Sequence, residues 1–513
     1  MSNGIKLSVC ADPTDVPSVC RILMLTQRTR PANRRLSCLD VVVVLSLRVR
    51  GRIPDTTQAP YPPSYSSHYR YMWLRIYECT YGAYRILIPY PEDRIPITRD
   101  HVFQLALPFV PFLYMAYLSR RPDTFLVRLM LLPVVVSLAF GTYFRYMWPE
   151  PEYNLFNWGQ GLLAETISAK AIDFAWRRPG MLKLGEIKPG LLMKPSVHEM
   201  NGGTPYASES SNAASQKYSL LPSWLHDTME VILTTRGIGW HFGSGIHIPQ
   251  EHRPLERPAF LRRTLVLTIQ NFLVFDALES FIKLIPHVGS PHGGTIFNPD
   301  LPIPKRYILS TAINLATGSC LVAGFEMVYG FITIFSITVL SSTPSMWPPI
   351  MDHPWRSDSL HIFWAKRWHQ VLRETFFIYG GFLGKIMAGN LGMIFGTFLG
   401  SGIYHEFSAY TLGRGFDFRV VLFFVLQAPL LLLERLWRRI SGRRVGGFYG
   451  RLWVYFCIVI LGQPLADSWH RRGLGGGLII PPCISPARRL LIPLLRRVSE
   501  MADYNFLSTL SSR

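Results

Sequence analysis

Thr397, Ser401 and His405 follow one another at intervals of four, and Asn390 lies seven residues before Thr397. On a helix all four share roughly one face. The stretch that carries them, Thr375 to Tyr404, is otherwise apolar and runs into the pair His405-Glu406. Polar side chains inside an apolar span are costly and face a cavity or a neighbouring helix. An imidazole in such a place either holds two helices together or moves protons, and the ridge alone leaves both readings open. Upstream lies Phe363-Trp364-Ala365-Lys366-Arg367-Trp368-His369-Gln370-Val371-Leu372-Arg373. As one helix it sets Trp364, Trp368 and Leu372 along one face and Lys366, Arg367 and Gln370 elsewhere. That pattern is either an aromatic membrane anchor or a seat for a polyanionic, partly apolar ligand beside His369.

Other chemistries are excluded by motif. No His-x-x-x-Asp and no Gly-x-Ser-x-Gly elbow occurs. Gly237-Ile238-Gly239 is followed by Phe242 where a dinucleotide loop needs glycine. There is no His-Glu-x-x-His, and the seven cysteines are scattered without a CxxC, so no metal site is expected.

The elements that must position these residues are membrane spans. Only 17% of the 513 residues are charged and 49% are hydrophobic, against about 25% charge in ordinary soluble chains. The net charge of +20 sits mostly between apolar segments, as in loops and headgroup anchors rather than a nucleic-acid face, so no nucleic-acid partner is expected. The expected spans are Phe103–Leu118, Phe125–Tyr146, Leu155–Trp176, Phe260–Ile285, Tyr307–Leu340, Thr375–Tyr404, Val420–Trp437 and Leu452–Ala466. Leu478–Leu495, broken by three prolines, reads as interfacial. The fold class is therefore all-α, a polytopic transmembrane bundle of about eight spans with amphipathic interfacial helices. Residues 1–66 read as a basic peripheral or poorly ordered segment, 67–495 as the membrane domain with an extramembrane loop at 177–257, and 496–513 as a tail. The basic runs at Arg120-Arg121, Arg177 to Lys188 and Arg435 to Arg444 are expected on one side, the cytosol.

Small residues recur every fourth position from Gly380 through Gly384, Ala388, Gly392 and Gly396 to Gly400, a ridge that lets a helix approach closely. A straight helix over 30 residues would be about 45 Å long, against a hydrocarbon core of about 30 Å. The expectation is a tilt, or a break near Ala388-Gly389-Asn390, either of which returns His405 toward mid-membrane.

Phe363-Trp364, Arg367-Trp368-His369-Gln370 and Arg373, followed by Ser401-Gly402-Ile403-Tyr404-His405-Glu406, resemble the wax-synthase-like branch of the membrane-bound O-acyltransferases. Ser168 to Ala175, Arg236 to Trp240 and Gly462 to Trp469 resemble the same branch, and the likeness runs from about residue 100 to 470. It is nearest the fungal type that acetylates secondary-metabolite hydroxyls. The resemblance implies an acyl-CoA co-substrate, acetyl-CoA ahead of longer donors, an apolar alcohol such as a terpenoid or meroterpenoid, no bound cofactor, and an endoplasmic-reticulum setting. It also implies an essential histidine at His405, with His369 at the position where plant members carry asparagine.

Acyl transfer from a thioester to an alcohol needs a proton acceptor, an oxyanion donor and exclusion of water. These roles are expected of His405 as base and of His369 or Asn390 as donor. Lys366, Arg367 and Arg373 are expected to hold CoA phosphates, Trp364 and Trp368 to stack on adenine or line the acyl channel, and Gln370, Ser401 and Glu406 to complete the binding site. The competing acceptors are a long-chain alcohol and a sterol. A transporter, with Lys385, Asn390 and His405 along a path, and a receptor-like scaffold are the non-enzymatic readings. Convergence of His369 and His405 on one cavity open to the cytosol is the feature that separates them.

Overall fold

The computed structural model describes residues 65–192, 221–498 and 500. Expectations for residues 1–64, for the middle of the 177–257 loop and for the tail past residue 500 lie outside the described residues. The chain forms two compact units, Met1–Leu74 and Arg75–Arg513, and the second holds the bundle.

Its helices are α1 (Tyr65–Leu87, shared by the two units), α2 (Phe109–Ser119), α3 (Phe125–Tyr143), α4 (Asn154–Trp176), α5 (Ser223–Leu233), α6 (Arg257–Leu284), α7 (Ile303–Thr338), α8 (Arg373–Tyr410), α9 (Phe418–Ser441) and α10 (Gly447–Arg471). Among the described residues seven segments are long and apolar enough to cross a membrane: α2 with the 3-10 turn that leads into it, α3, and α6 to α10. The chain is an integral, multi-pass protein. The eighth expected span, α4, is a continuous helix but falls outside that set; Glu165 and Asp173 within it are buried in the bundle. The described strands are two-residue and three-residue pairs, Ile95–Pro96 with Tyr146–Met147 and Glu186–Lys188 with Leu191–Leu192.

Hydrogen bonds sort the connections into two ends. At one end Arg120 binds Glu186 and Asp227 at 2.7 and 3.0 Å, and Arg236 and Arg253 donate to backbone oxygens of residues 347–349. Glu434 accepts from the backbone of Leu360 and His361 at the same end. The three basic runs thus share one end of the bundle. At the other end Arg94 donates to Thr411 O, Asn154 to Pro291 O, and Arg472 pairs with Glu406 at 2.7 Å.

The break in α8 falls at Ala388 (φ −143°, ψ 29°) and Gly389 (φ 57°, ψ −142°). The second is a conformation open essentially to glycine. The helix folds back on itself there, and the glycine ridge is the seam between its own two arms. A β-carbon on Gly384 would lie 2.7 Å from Gly392 C, and one on Gly380 would lie 2.8 Å from Gly396 C. The small residues therefore serve an internal hairpin. The first arm, Arg373 to Met387, rises about 21 Å. It runs back toward the basic end, where Phe382 meets Trp176 edge to face.

The segment before α8 enters the bundle. Leu360 lies beside Glu434, and Trp364, further along, donates to Gln427, two turns deeper on α9. The expected single helix over 363–373 is not what forms. Residues Phe363–Arg367 make a wide π turn, and Trp368 is extended at ψ 151°. The backbone of 368–372 then connects to α8 without a continuous helix. The turn is held by Gln370, whose side-chain amide donates to Trp364 O and Trp368 O, both at 2.9 Å.

Candidate active site

The hairpin sets His405 beside the start of its own first arm. The second arm of α8 descends from the Gly389 turn past Gly400, whose added β-carbon would lie 3.0 Å from Phe376 O at the start of the first arm. His405 thereby comes level with the foot of that arm, and its ring centroid is 6.0 Å from that of Phe376. His369 sits just before the same foot. The two histidines line one cavity of about 220 Å³.

That cavity is walled mostly by aromatic and aliphatic side chains. Trp158 and Leu162 come from α4, Leu321 and Phe325 from α7, Phe363, Trp364 and Trp368 from the entering segment, Phe423 and Phe424 from α9, and Trp469 from α10. Phe424 stacks on the His405 imidazole at 4.5 Å and 10°, and Phe325 packs on His369 at 4.5 Å. Such contacts fix ring planes without using ring nitrogens. Neither histidine side chain has a hydrogen bond among the described residues, and Nδ1 of each is buried without a partner. The remaining edge of each ring, Nε2, is the one left to meet a ligand. Tyr404, beside them, is already engaged: its hydroxyl is 3.0 Å from Thr166 Oγ1. Wide π turns at Phe363–Arg367 and Phe456–Ile460 contribute to the cavity wall, and a third, Phe377–Gly381, lies in the first arm of α8; such local irregularity often marks functional sites.

The other expected site residues divide. Trp364 and Trp368 line the cavity. Lys366 and Arg373 are exposed. Arg367 is half-buried and bound to Asp352 O and His353 O at 3.0 and 3.2 Å, so it braces the loop. Asn390 requires correction as a site residue: it is exposed, beside the hairpin turn, about 22 Å of helix from His405, because the break that returns His405 carries Asn390 away. Glu406 also requires correction. It is fully buried, paired with Arg472 at 2.7 Å, and accepts from Asp417 N at 2.6 Å, on the side of the helix end rather than the cavity. Ser401 is buried and lies outside the cavity wall, and Gln370 holds the entering turn. Among the described residues no group of three or more His, Cys, Asp or Glu could hold a metal ion.

Reading the sequence missed Asn314 and Thr317 on α7, and the aromatic residues Trp158, Phe325 and Phe424, all on the cavity wall. For Asn314 a signal existed: it is an amide inside the long apolar run of α7, and such residues merit a functional reading by default. The aromatics carry no such mark, since aromatic residues in spans are common.

The fold and site define a multi-pass membrane protein with a two-histidine cavity inside its helix bundle. Residues 347–426, which include the entering segment, all of α8 and both histidines, match the Membrane bound O-acyl transferase family. The chain is also similar to fungal proteins named acetyltransferases. It is 26% identical to Acetyltransferase eriL of Hericium erinaceus over 260 residues, 47% of this chain and 65% of that protein. It is 30% identical to Acetyltransferase ataH of Aspergillus terreus over 156 residues, 28% of this chain and 50% of that protein. With Acetyltransferase ple2 of Rhodocybe pseudopiperita the identity is 24% over 260 residues, 48% of this chain and 60% of that protein. The chain thus spans between half and two thirds of the length of these curated relatives. The resemblance read from the sequence, to membrane-bound O-acyltransferases of the fungal acetyltransferase type, holds.

Proposed function

We propose that the protein is a membrane-bound O-acyltransferase that moves an acyl group, acetyl by preference, from acyl-CoA to a hydroxyl of a compact apolar alcohol of the terpenoid or meroterpenoid kind. The observation that carries this reading is the meeting of His369 and His405, with free ring edges, on one largely apolar cavity.

In this reading the alcohol and the thioester meet beside His405. Its Nε2 takes the hydroxyl proton as the alcohol oxygen attacks the thioester carbonyl. His369 donates to the oxyanion of the tetrahedral intermediate. Collapse breaks the carbon–sulfur bond, the CoA thiolate takes the proton from His405, and ester and CoA leave. The tryptophan-rich wall excludes water, which would otherwise hydrolyse the thioester. Exposed Lys366 and Arg373 serve the CoA phosphates from the basic end of the bundle. A cavity of about 220 Å³, below the 300–1,000 Å³ range of drug-sized pockets, favours a short acyl group over a long one. The expected site of action is the endoplasmic reticulum, with the basic end toward the cytosol.

The test is incubation of microsomes carrying the protein with labelled acetyl-CoA or palmitoyl-CoA and a panel of apolar alcohols. Ester formation that needs His405 supports the reading. Absence of ester from every donor and acceptor, with the protein present in the membrane, overturns it.

A further inference from the structure

The cavity is apolar except at a few points, and most of its polar atoms are already engaged. Tyr404 is bonded to Thr166, and Trp364 Nε1 donates to Gln427 at 3.1 Å. Beyond the two histidines there remain two indole donors, Trp158 Nε1 and Trp469 Nε1, both buried without a partner, and two polar side chains on α7 that offer acceptor oxygens, Asn314 and Thr317. The face of α7 that lines the cavity runs from Asn314 to Phe325, about 16 Å of helix. Phe325 packs on His369, so Asn314 and Thr317 mark the other end of that wall.

Both present acceptors. Asn314 Nδ2 donates to Val459 O at 2.6 Å, which fixes the amide and leaves Oδ1 without a protein partner among the described residues. Thr317 Oγ1 donates to Ile313 O at 2.8 Å and lies 2.8 Å from His470 Nε2. With the hydroxyl proton directed to Ile313, the imidazole donates to Oγ1. His470 follows Trp469 in sequence, whose ring centroid is 6.3 Å from that of His405. An unpaired amide oxygen in an apolar membrane cavity is costly unless a ligand meets it.

Building on the acyltransferase reading, we infer that Asn314 and Thr317 form a second polar subsite, which receives a hydroxyl of the acceptor other than the one acylated. The acceptor class is therefore a diol or polyol on an apolar skeleton. One hydroxyl meets His405 and another donates to Asn314 Oδ1 beside Thr317. The reaction that supplies this substrate must accordingly be one that oxygenates an apolar skeleton at two or more positions.

The experiment uses the full chain in microsomes, labelled acetyl-CoA, and diol and mono-ol pairs on the same terpenoid skeletons. Wild type is expected to favour the diol in kcat/KM by about tenfold or more. Asn314→Leu should cut the diol value by about that factor and the mono-ol value by much less, so that the preference for the diol is lost. Thr317→Val, which keeps size and removes the hydroxyl, should narrow the preference in the same direction, and it serves where Asn314→Leu fails to accumulate. Equal kcat/KM for diol and mono-ol in wild type, or equal losses on both in the variants, overturns the subsite while leaving the acyltransferase reading intact. Absence of transfer to every alcohol overturns the acyltransferase reading instead.

Discussion

Gly384→Ala adds one methyl group at the seam of the α8 hairpin. On an ordinary exposed helix position this change would stabilise by up to about 1 kcal/mol, since alanine is the better helix former. The seam reverses the sign. The new β-carbon would lie 2.7 Å from Gly392 C and 3.3 Å from Gly396 Cα, and ordinary contact begins at 3.4 Å. The obstacle is backbone, which has no rotamer by which to move aside, so the arms must part by roughly 1 Å. Overpacking of this kind costs about 1–3 kcal/mol. The functional effect is larger, because the foot of the first arm carries His369 and the second arm carries His405. A displacement of about 1 Å between groups that must meet a substrate together can cost about a hundredfold in rate. The assay is labelled acetyl transfer per unit of membrane-inserted protein, with Gly159→Ala as control, a helical glycine on α4 whose added β-carbon meets nothing within 4 Å. The expected result is about a hundredfold loss for Gly384→Ala at near-normal membrane levels and no change for the control. Activity of Gly384→Ala within twofold of wild type would refute the hairpin as the device that sets the two histidines together.

His405→Ala should leave membrane insertion intact and lower acyl transfer by about two to four orders of magnitude, the span usual for a lost general base; near wild-type turnover of the purified variant would remove the residue from that role. His369→Asn should keep measurable activity if the residue only donates a hydrogen bond, and complete loss would assign it proton transfer instead. Arg472→Ala strands the buried Glu406 carboxylate, and breaking a buried pair of this kind costs about 3–5 kcal/mol. Its membrane level and its half-life in detergent should both fall, and unchanged values would contradict the placement of that pair. Asp417, in the connection after α8, is raised by burial but held down at about 2 overall by the Arg419 guanidinium, 2.7 Å away. A carboxylate depressed in the fold stabilises fully above its unfolded value of about 3.9 and loses that contribution as pH falls toward 2, here about 2 kcal/mol. Thermal half-life in detergent should therefore be flat from pH 7 to 5 and drop below pH 4, with a smaller drop in Asp417→Asn.

The spans were legible because an apolar run of sufficient length has few other solutions, and the basic loops because lysine and arginine mark one side. The break at Ala388-Gly389 was legible as a conflict of length, since 30 helical residues overshoot the hydrocarbon. Its consequence for the glycines was not legible. A small-residue ridge reads the same whether its partner is another helix or the same helix returning, and only the backbone decides. Asn390 was misplaced for a related reason: its face was counted along a straight helix, and two residues with non-helical backbone cancel that count. Glu406 drew the reading of a ligand contact by standing next to His405, although neighbours on a helix point about 100° apart. The partner that explains it, Arg472, lies 66 residues away with no local trace. The two histidines, which share one cavity, stood out in the sequence because both their types and their surroundings were unusual for a span.

The first arm of α8 climbs about 21 Å, short of a hydrocarbon core of about 30 Å, and it begins and ends without crossing. A segment of that kind has no stable place among lipids until other helices stand around it. Spanning helices form individually and then associate, so α7 and α9 must be in the bilayer, with α4 packed among them, before the entering segment and its arm can dock. In the biogenesis of this protein the two-histidine cavity, the proposed catalytic centre, is accordingly expected to be the last part to be assembled. A nascent chain can be fully inserted, with every crossing made, and still be inactive.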